Sequence, residues 1–168
     1  HDGKIYEWTL NTGSAAAAVT NAPVSNRGAF VTPERHLVAL GAGSYPRKVQ
    51  WSDAEDNTVW TPSATNAAGS IELETSGSIM NAAKVRGTNL IFTDVDVHTM
   101  SHIGQPFVYS FAKVGDNCGL AAVNAFAAVE SFAVWMTKND FQVYEGAVRQ
   151  LPCEVQDYVF NDINRVQI

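Results

Sequence analysis

Three groups of side chains have types and spacings that could do chemistry. His98 and His102 stand four apart in HTMSH, a spacing that suits zinc on a helix. They follow LIFTDVDV, however, which reads as a strand, where one face recurs every second residue. No HExxH glutamate accompanies them, so no metal site is expected. Asp94, Asp96, Asp140 and Asp157 offer the paired carboxylates of glycoside hydrolysis. Nothing in the sequence brings two of them together. Asp94 and Asp140 fall at comparable strand ends, which predicts a repeated structural turn. Cys118, before Gly119, would need a positioned base to act as a nucleophile. Cys118 and Cys153 could form a disulfide, but two cysteines make no disulfide framework and the preferred reading is two buried free thiols; the pair lacks the CxxC spacing of a metal site. GxSxG, P-loop and GxGxxG patterns are absent. No catalytic, cofactor-binding or metal-ligating residue is expected, and the chain is not read as an enzyme.

A fourth candidate is VQWSDAEDNTVWTPS, Val49 to Ser63, where Trp51 and Trp60 bracket Ser52, Asp53, Asp56 and Asn57. Oxygen ligands in such a loop could hold calcium, but the regular acidic spacing and glycine of an EF-hand loop are missing. Ser, Asp and Asn also bond to nearby backbone and make turns. The expectation is a turn clamped onto a sheet by two indole rings. The segment is also similar to the Asp-box hairpin of sialidase-like propellers, without its glycine.

The elements that must position these residues are strands. GKIYEWTL, HLVALGAG, RKVQWSD and NLIFTDVDVHTM are short, apolar or alternating, and rich in β-branched and aromatic residues. SFAVWMTKNDFQVYEG reads as strand, Thr-Lys-Asn-Asp turn, strand, with a further turn at Glu145-Gly146. AVNAFAAVES is the one helix candidate and is read as a buried strand of small residues; the Ala15–Ala18 run is too short for a stable helix.

These strands repeat. GAFVTPERHLVALGAG with RKVQWSD, NAAKVRGTNLIFTDVDVHTM, and NAFAAVESFAVWMTKNDFQVYEG share one plan. Each has a small-residue strand, a polar turn, a strongly apolar strand and a strand carrying aromatics. Comparable apolar centres fall at Val38, Ile91 and Val134, ~40–55 residues apart, the range of propeller blades. One blade cannot bury both its faces, and stacking does. The expected class is all-β, with antiparallel β-propeller-like repeats and about three to four blades. Residues 1–26 are expected to form an N-terminal strand and linker belonging to a blade, and 27–168 the propeller-like domain. Beginning at His1, the chain reads as a processed protein or a piece of a larger one.

The bulk numbers agree with a folded domain: 168 residues, 46% hydrophobic and only 17% charged. The net charge of −6 and the lack of a Lys/Arg cluster argue against tight phosphate binding. No apolar run approaches the ~20 residues of a membrane helix, and no membrane partner is expected.

The Trp-Ser-Asp…Trp-Thr-Pro turn, the Ile-Phe-Thr-Asp strand, the Cys-Gly-Leu lead-in, the Trp-Met strand, the Phe-x-Val-Tyr-x-Gly hairpin and the Leu-Pro-Cys…Asn-Asp-Ile-Asn close span most of 27–168. In combination they resemble structural proteins of tailed bacteriophages, above all the β-propeller proteins of the tail nozzle or hub, which stabilise the head-to-tail junction. The resemblance implies a virion protein of the tail, assembled in the host cytoplasm. It would form a homo-oligomeric ring with other tail and adaptor proteins around the DNA exit channel. DNA would pass without specific binding, and an acidic or neutral wall suits that passage. It carries no catalytic residues and no cofactor. The alternative is a glycan-binding propeller module for host attachment, with Trp8, Trp60 or Tyr45 stacking on sugars.

Overall fold

The computed structural model of the protein describes residues 2–164, so His1 and 165–168 of the expected domains lie outside the described residues. The body is antiparallel β-sheet, as the class expectation has it. One α-helix, α1 at Gln156–Asp162, occurs among the described residues. The strands are β1 (Tyr6–Glu7), β2 (Ala17–Ala18), β3 (Gly28–Val31), β4 (Leu37–Leu40), β5 (Lys48–Trp51) and β6 (Gly69–Glu72). There follow β7 (Ile79–Val85), β8 (Thr88–Thr93), β9 (Val97–Gly104) and β10 (Val108–Gly115). The last are β11 (Phe126–Ala128), β12 (Ala133–Met136), β13 (Phe141–Tyr144) and β14 (Val148–Gln150). β1 and β2 pair alone; the rest form three four-stranded sheets, β3-β4-β5-β6, β10-β9-β8-β7 and β11-β12-β13-β14. Each is a meander in which sequence neighbours pair. The three repeats read from the sequence are the first three strands of these sheets.

Contacts divide the chain into two compact units, His1–Glu74 with Gly104–Val108, and Thr75–Ile103 with Tyr109–Ile168. In the first, strand alternation puts Val38, Leu40, Val49 and Trp51 on one face of β3–β6, and all four are buried. The other face, with Leu37 and Ala39, packs with Trp60, Ala42, Ile5 and Ala22. Much of GKIYEWTL is therefore a cover rather than a strand: only Tyr6 and Glu7 pair, with Ala18 and Ala17. Val19 N–H donates to the Ile5 carbonyl, and Asn26 N–H to that of Gly3, which ties the cover down.

In the second unit two sheets pack face to face. Leu90, Phe92 and Val97 from β8 and β9 meet Ala133, Trp135 and Tyr144 from β12 and β13. The Phe92 ring lies 5.3 Å from the rings of both Trp135 and Phe126. Such pairs add about 0.5–1.5 kcal/mol beyond their burial. The Trp135 indole N–H donates to the Cys118 carbonyl at 2.6 Å, so the buried ring leaves no polar atom unmatched. The turns are where the punctuation puts them. Arg86 and Gly87 join β7 to β8 in left-handed conformations (φ 53° and 75°), and Val129 N–H bonds to the Phe132 carbonyl between β11 and β12. Ala122–Ser131 contains β11, the strand expected there. The helix at Gln156–Asp162 is unforeseen: it has no side-chain cap and no buried residue. Its Phe160 meets Phe141 at 5.3 Å.

Two of the edge strands, β10 and β14, carry paired charges. Lys113 on β10 is 2.9 Å from Asp116, and Arg149 on β14 is 2.6 Å from Glu145.

Gly119 crosses the β8–β9 turn so closely that a Cβ there would lie 2.2 Å from the Val95 nitrogen. Its own N–H donates to the Val95 carbonyl at 3.0 Å. Gly119→Ala is expected to cost at least about 1–3 kcal/mol, since backbone rather than a side-chain tip must yield. A denaturant midpoint unchanged from that of the parent chain would contradict this packing.

Candidate functional site

The polar side chains of the second unit gather at two turns of identical construction. Thr93-Asp94-Val95-Asp96 joins β8 to β9, and Thr137-Lys138-Asn139-Asp140 joins β12 to β13. In the first, Thr93 Oγ1 donates to Asp96 Oδ1 at 2.6 Å and accepts from the N–H groups of Val95 and Asp96. In the second, Thr137 Oγ1 donates to Asp140 Oδ1 and accepts from the N–H groups of Asn139 and Asp140. Two residues on, a polar side chain returns to each carboxylate: His98 Nε2 lies 3.1 Å from Asp96 Oδ1, and Gln142 Nε2 donates to Asp140 Oδ2 at 3.0 Å. The motif is Thr-x-x-Asp-x-polar. Its carboxylate replaces backbone partners that a tight turn cannot supply.

This corrects the expected equivalence. Asp140 corresponds to Asp96, not Asp94; Asp94 instead accepts the Ser78 N–H at 2.6 Å. Asp96 is buried and also receives the Thr75 hydroxyl at 2.9 Å, with Lys113 Nζ at 3.8 Å from its other oxygen. Asp157 stands in the first turn of α1, exposed. The carboxylates thus serve separate turns. His102 is exposed, its ring 5.5 Å from that of Tyr109, while His98 is buried on Asp96; the two histidines serve different contacts.

Beside the turns is a shallow cleft of about 250 Å³, lined by Asp94, Val95, Asn117, Gly119, Thr137, Lys138 and Asn139. The arrangement can offer hydrogen bonds to a polar group. Cys118 lies beside it but points into the core. Its thiol is 3% exposed as a residue, and burial, followed by the negative charges of Asp96, Asp116 and Asp140, pushes it up to about 11. It stays protonated, the opposite of an activated nucleophile. Cys118 and Cys153 are both free thiols; Cys118 is buried as expected, whereas Cys153 is only half-buried.

In the first unit the tryptophan-flanked loop is a structural connection. Asp53 Oδ1 accepts from the N–H groups of Ala54 and Ala67, and Asp56 Oδ1 from the Thr58 N–H and hydroxyl, which hold the Asp56 carboxyl below its usual range. The Trp51 indole donates to the Ala67 carbonyl, and Trp60 to that of Asn57. The clamp is real but longer than a simple turn, since Trp60 lies inside the connection and β6 begins only at Gly69. A Cβ at Gly69 would come 2.4 Å from the Trp51 ring, so the indole lies directly on that glycine. Trp60 is 4% exposed, which removes it from the sugar-stacking candidates; Trp8 and Tyr45 remain about half exposed, at 47% and 58%.

Sequence reasoning missed Thr93, Thr137 and the role of Asp96. The signal was present: FTDVDVH and MTKNDFQ align on Thr and Asp with no gap.

No protein-family model and no curated protein matches the chain. In fold it is similar to a solved structure described as the AfRom2 CNH domain, with a TM-score of 0.55 and 11% sequence identity. The likeness covers 94% of this chain and 51% of that one, so this chain spans about half the compared length. No helix among the described residues is long and apolar enough to cross a membrane.

Two measurements test the site. Thr93→Val keeps shape but removes the hydroxyl from a buried carboxylate, and is expected to cost about 1–3 kcal/mol of stability. A loss below that range would mean Asp96 is held by other groups. For Cys118, the folded thiol ionises only near 11 whereas the unfolded one ionises near 9. Its contribution to stability is therefore complete below pH 9 and disappears as pH rises toward 11. A thiol reagent at pH 8 should label Cys153 well before Cys118. Equal labelling rates in the folded protein would contradict the burial.

Proposed function

We propose that the chain is a non-enzymatic structural component of a bacteriophage virion, a tail nozzle or hub protein assembling as a ring around the DNA exit channel. The observation that carries the reading is the use made of its polar side chains. The carboxylates and hydroxyls that could do chemistry close the turns of four-stranded sheets, and in the second unit two of those sheets stack by their apolar faces. Such a chain works by shape and contact. The resemblance of its turns and strands to propeller proteins of phage tails supplies the setting. Its −6 charge suits a conduit that DNA must leave freely, because basic walls would bind phosphates through counterion release. Four of its cations, Arg35, Arg47, Lys113 and Arg149, already stand beside carboxylates. Closure of the sheets into a propeller, with the neighbouring tail and adaptor proteins as partners, belongs to the same proposal.

A second reading, recognition of host glycans, is favoured by the exposed rings of Trp8 and Tyr45. The Lys48 ammonium, 5.7 Å from the Tyr45 ring centre, leaves one side of that ring partly occupied.

The test is to fractionate purified particles of the phage that encodes the chain and seek its peptides in tails. Their recovery with tails, and no retention of duplex DNA by the isolated chain at ~50 mM salt, is the expected result. Peptides abundant in infected cells but missing from purified particles would overturn the proposal. Loss of cell attachment on Trp8→Ala or Tyr45→Ala, with assembly intact, would favour the glycan reading.

A further inference from the structure

The tryptophan-flanked loop divides its side chains between two tasks. Ser52, Asp53 and Asp56 bond to the backbone of the loop and its surroundings. The side chains of Glu55 and Asn57 instead reach other segments of the same unit. Glu55 Oε1 accepts from Arg35 Nη1 at 2.5 Å, and Asn57 Nδ2 donates to Glu7 Oε2 at 2.7 Å. Both pairs line a groove of about 380 Å³. That size lies near the lower end of small-molecule sites, about 300–1,000 Å³. Ile5, Val19, Val31 and Leu37 give the groove an aliphatic wall, with Val31 and Leu37 opposite each other on β3 and β4. Tyr6 lines it too, 52% exposed, while its hydroxyl donates to Asp2 Oδ2 at 2.6 Å. A ring tethered by its polar tip offers a fixed apolar surface.

The polar rim keeps capacity to spare. Glu7 and Glu55 each bond through one carboxylate oxygen and Asn57 through its amide nitrogen, so the other oxygen of each is left to accept. The Arg35 guanidinium keeps further N–H donors. Its exposed ion pair with Glu55 contributes little to stability, so it can be shared with a ligand at little cost. This lining selects among ligands. A wholly apolar one would desolvate the Glu7 carboxylate, whose partner is a neutral amide. A multiply charged anion would meet two carboxylates. A ring with C–H groups on one side and hydroxyls around its edge matches both parts, because a hydroxyl both donates and accepts. We infer that this groove binds a neutral sugar ring, its C–H side against Tyr6 and Val31. Its hydroxyls donate to Glu7 and Glu55 and accept from Arg35. The inference rests on the glycan reading above and gives it a site apart from Trp8 and Tyr45.

The test is saturation-transfer NMR on the full 168-residue chain with methyl glycosides of glucose, galactose, mannose and N-acetylglucosamine. At least one should bind with a Kd of about 1 mM or tighter. Tyr6→Ala and Asn57→Ala should each weaken that binding by more than about tenfold, with thermal midpoint and tryptophan emission as in the parent. Should Tyr6→Ala loosen β1, Glu55→Ala carries the same test from an exposed position. No binding of these glycosides at ~10 mM, or binding untouched by the groove variants, would overturn the site. Retention of a lysine-rich peptide with the glycosides ignored would also overturn it, in favour of a cationic ligand. If Trp8→Ala or Tyr45→Ala abolishes cell attachment while Tyr6→Ala and Asn57→Ala leave it intact, the glycan reading stands and this site falls. If no variant changes attachment and no glycoside binds, both fall.

Discussion

Trp135 is the side chain on which the second unit depends. Among the described residues it is the largest fully buried side chain, and it enters from β12 to meet Phe92 of the facing sheet. Burying an indole contributes a large hydrophobic gain only if its N–H finds an acceptor. The Cys118 carbonyl provides one, and the segment that carries it is held by Gly119, whose contact with Val95 admits no side chain. The same arrangement keeps the Cys118 thiol in apolar surroundings and protonated. Sheet stacking, the approach of the connecting segment and the inertness of a cysteine are thus one constraint seen from three sides.

The turns do for register what the tryptophan does for packing. Thr93 and Thr137 each gather their own turn through one hydroxyl, and the Asp three residues later completes it. Because strand faces alternate every residue, a turn pinned at a fixed Thr decides which side of the sheet each neighbour occupies. In the first unit Asp53, Asp56, Trp51 and Trp60 do comparable work over a longer connection. Polar groups that resemble a catalytic inventory when read in sequence are, in space, bonded to the turns that carry them.

Much of this was legible beforehand. Arg86-Gly87, Glu145-Gly146 and Thr137–Asp140 announce turns by composition, and the three repeats correspond to three sheets. The errors have a common origin. Val38, Ile91 and Val134 were aligned as the centres of apolar runs, yet the turn alignment sets Ile91 on Trp135, one residue away and on the opposite face. A strand covered on both sides reads as an uninterrupted apolar run, and such a run contains no face information. Asp94 was set against Asp140 for a similar reason: two acids lie near the strand end, and only the hydroxyl at Thr93 tells them apart. Helix α1 escaped because QDYVFND buries nothing and has no cap, so neither periodicity nor a start signal marks it. Trp60 could not be placed because a tryptophan in a loop is equally plausible as a cover or as a platform until its neighbours Ala39 and Ala42 are known.

The charged edges of the sheets have a consequence for how such a protein can join others. Lys113 on β10 and Arg149 on β14 would be drawn against a foreign backbone in any strand-by-strand extension, and stripping water from them costs more than the new ladder bonds return. Fibril-like growth is discouraged along those directions, whereas lateral stacking of whole leaflets meets no such barrier. The edges at β3 and β11, Gly-Ala-Phe-Val and Phe-Ala-Ala, carry no such guard, so pairing with a foreign strand is opposed at some margins of these sheets and open at others.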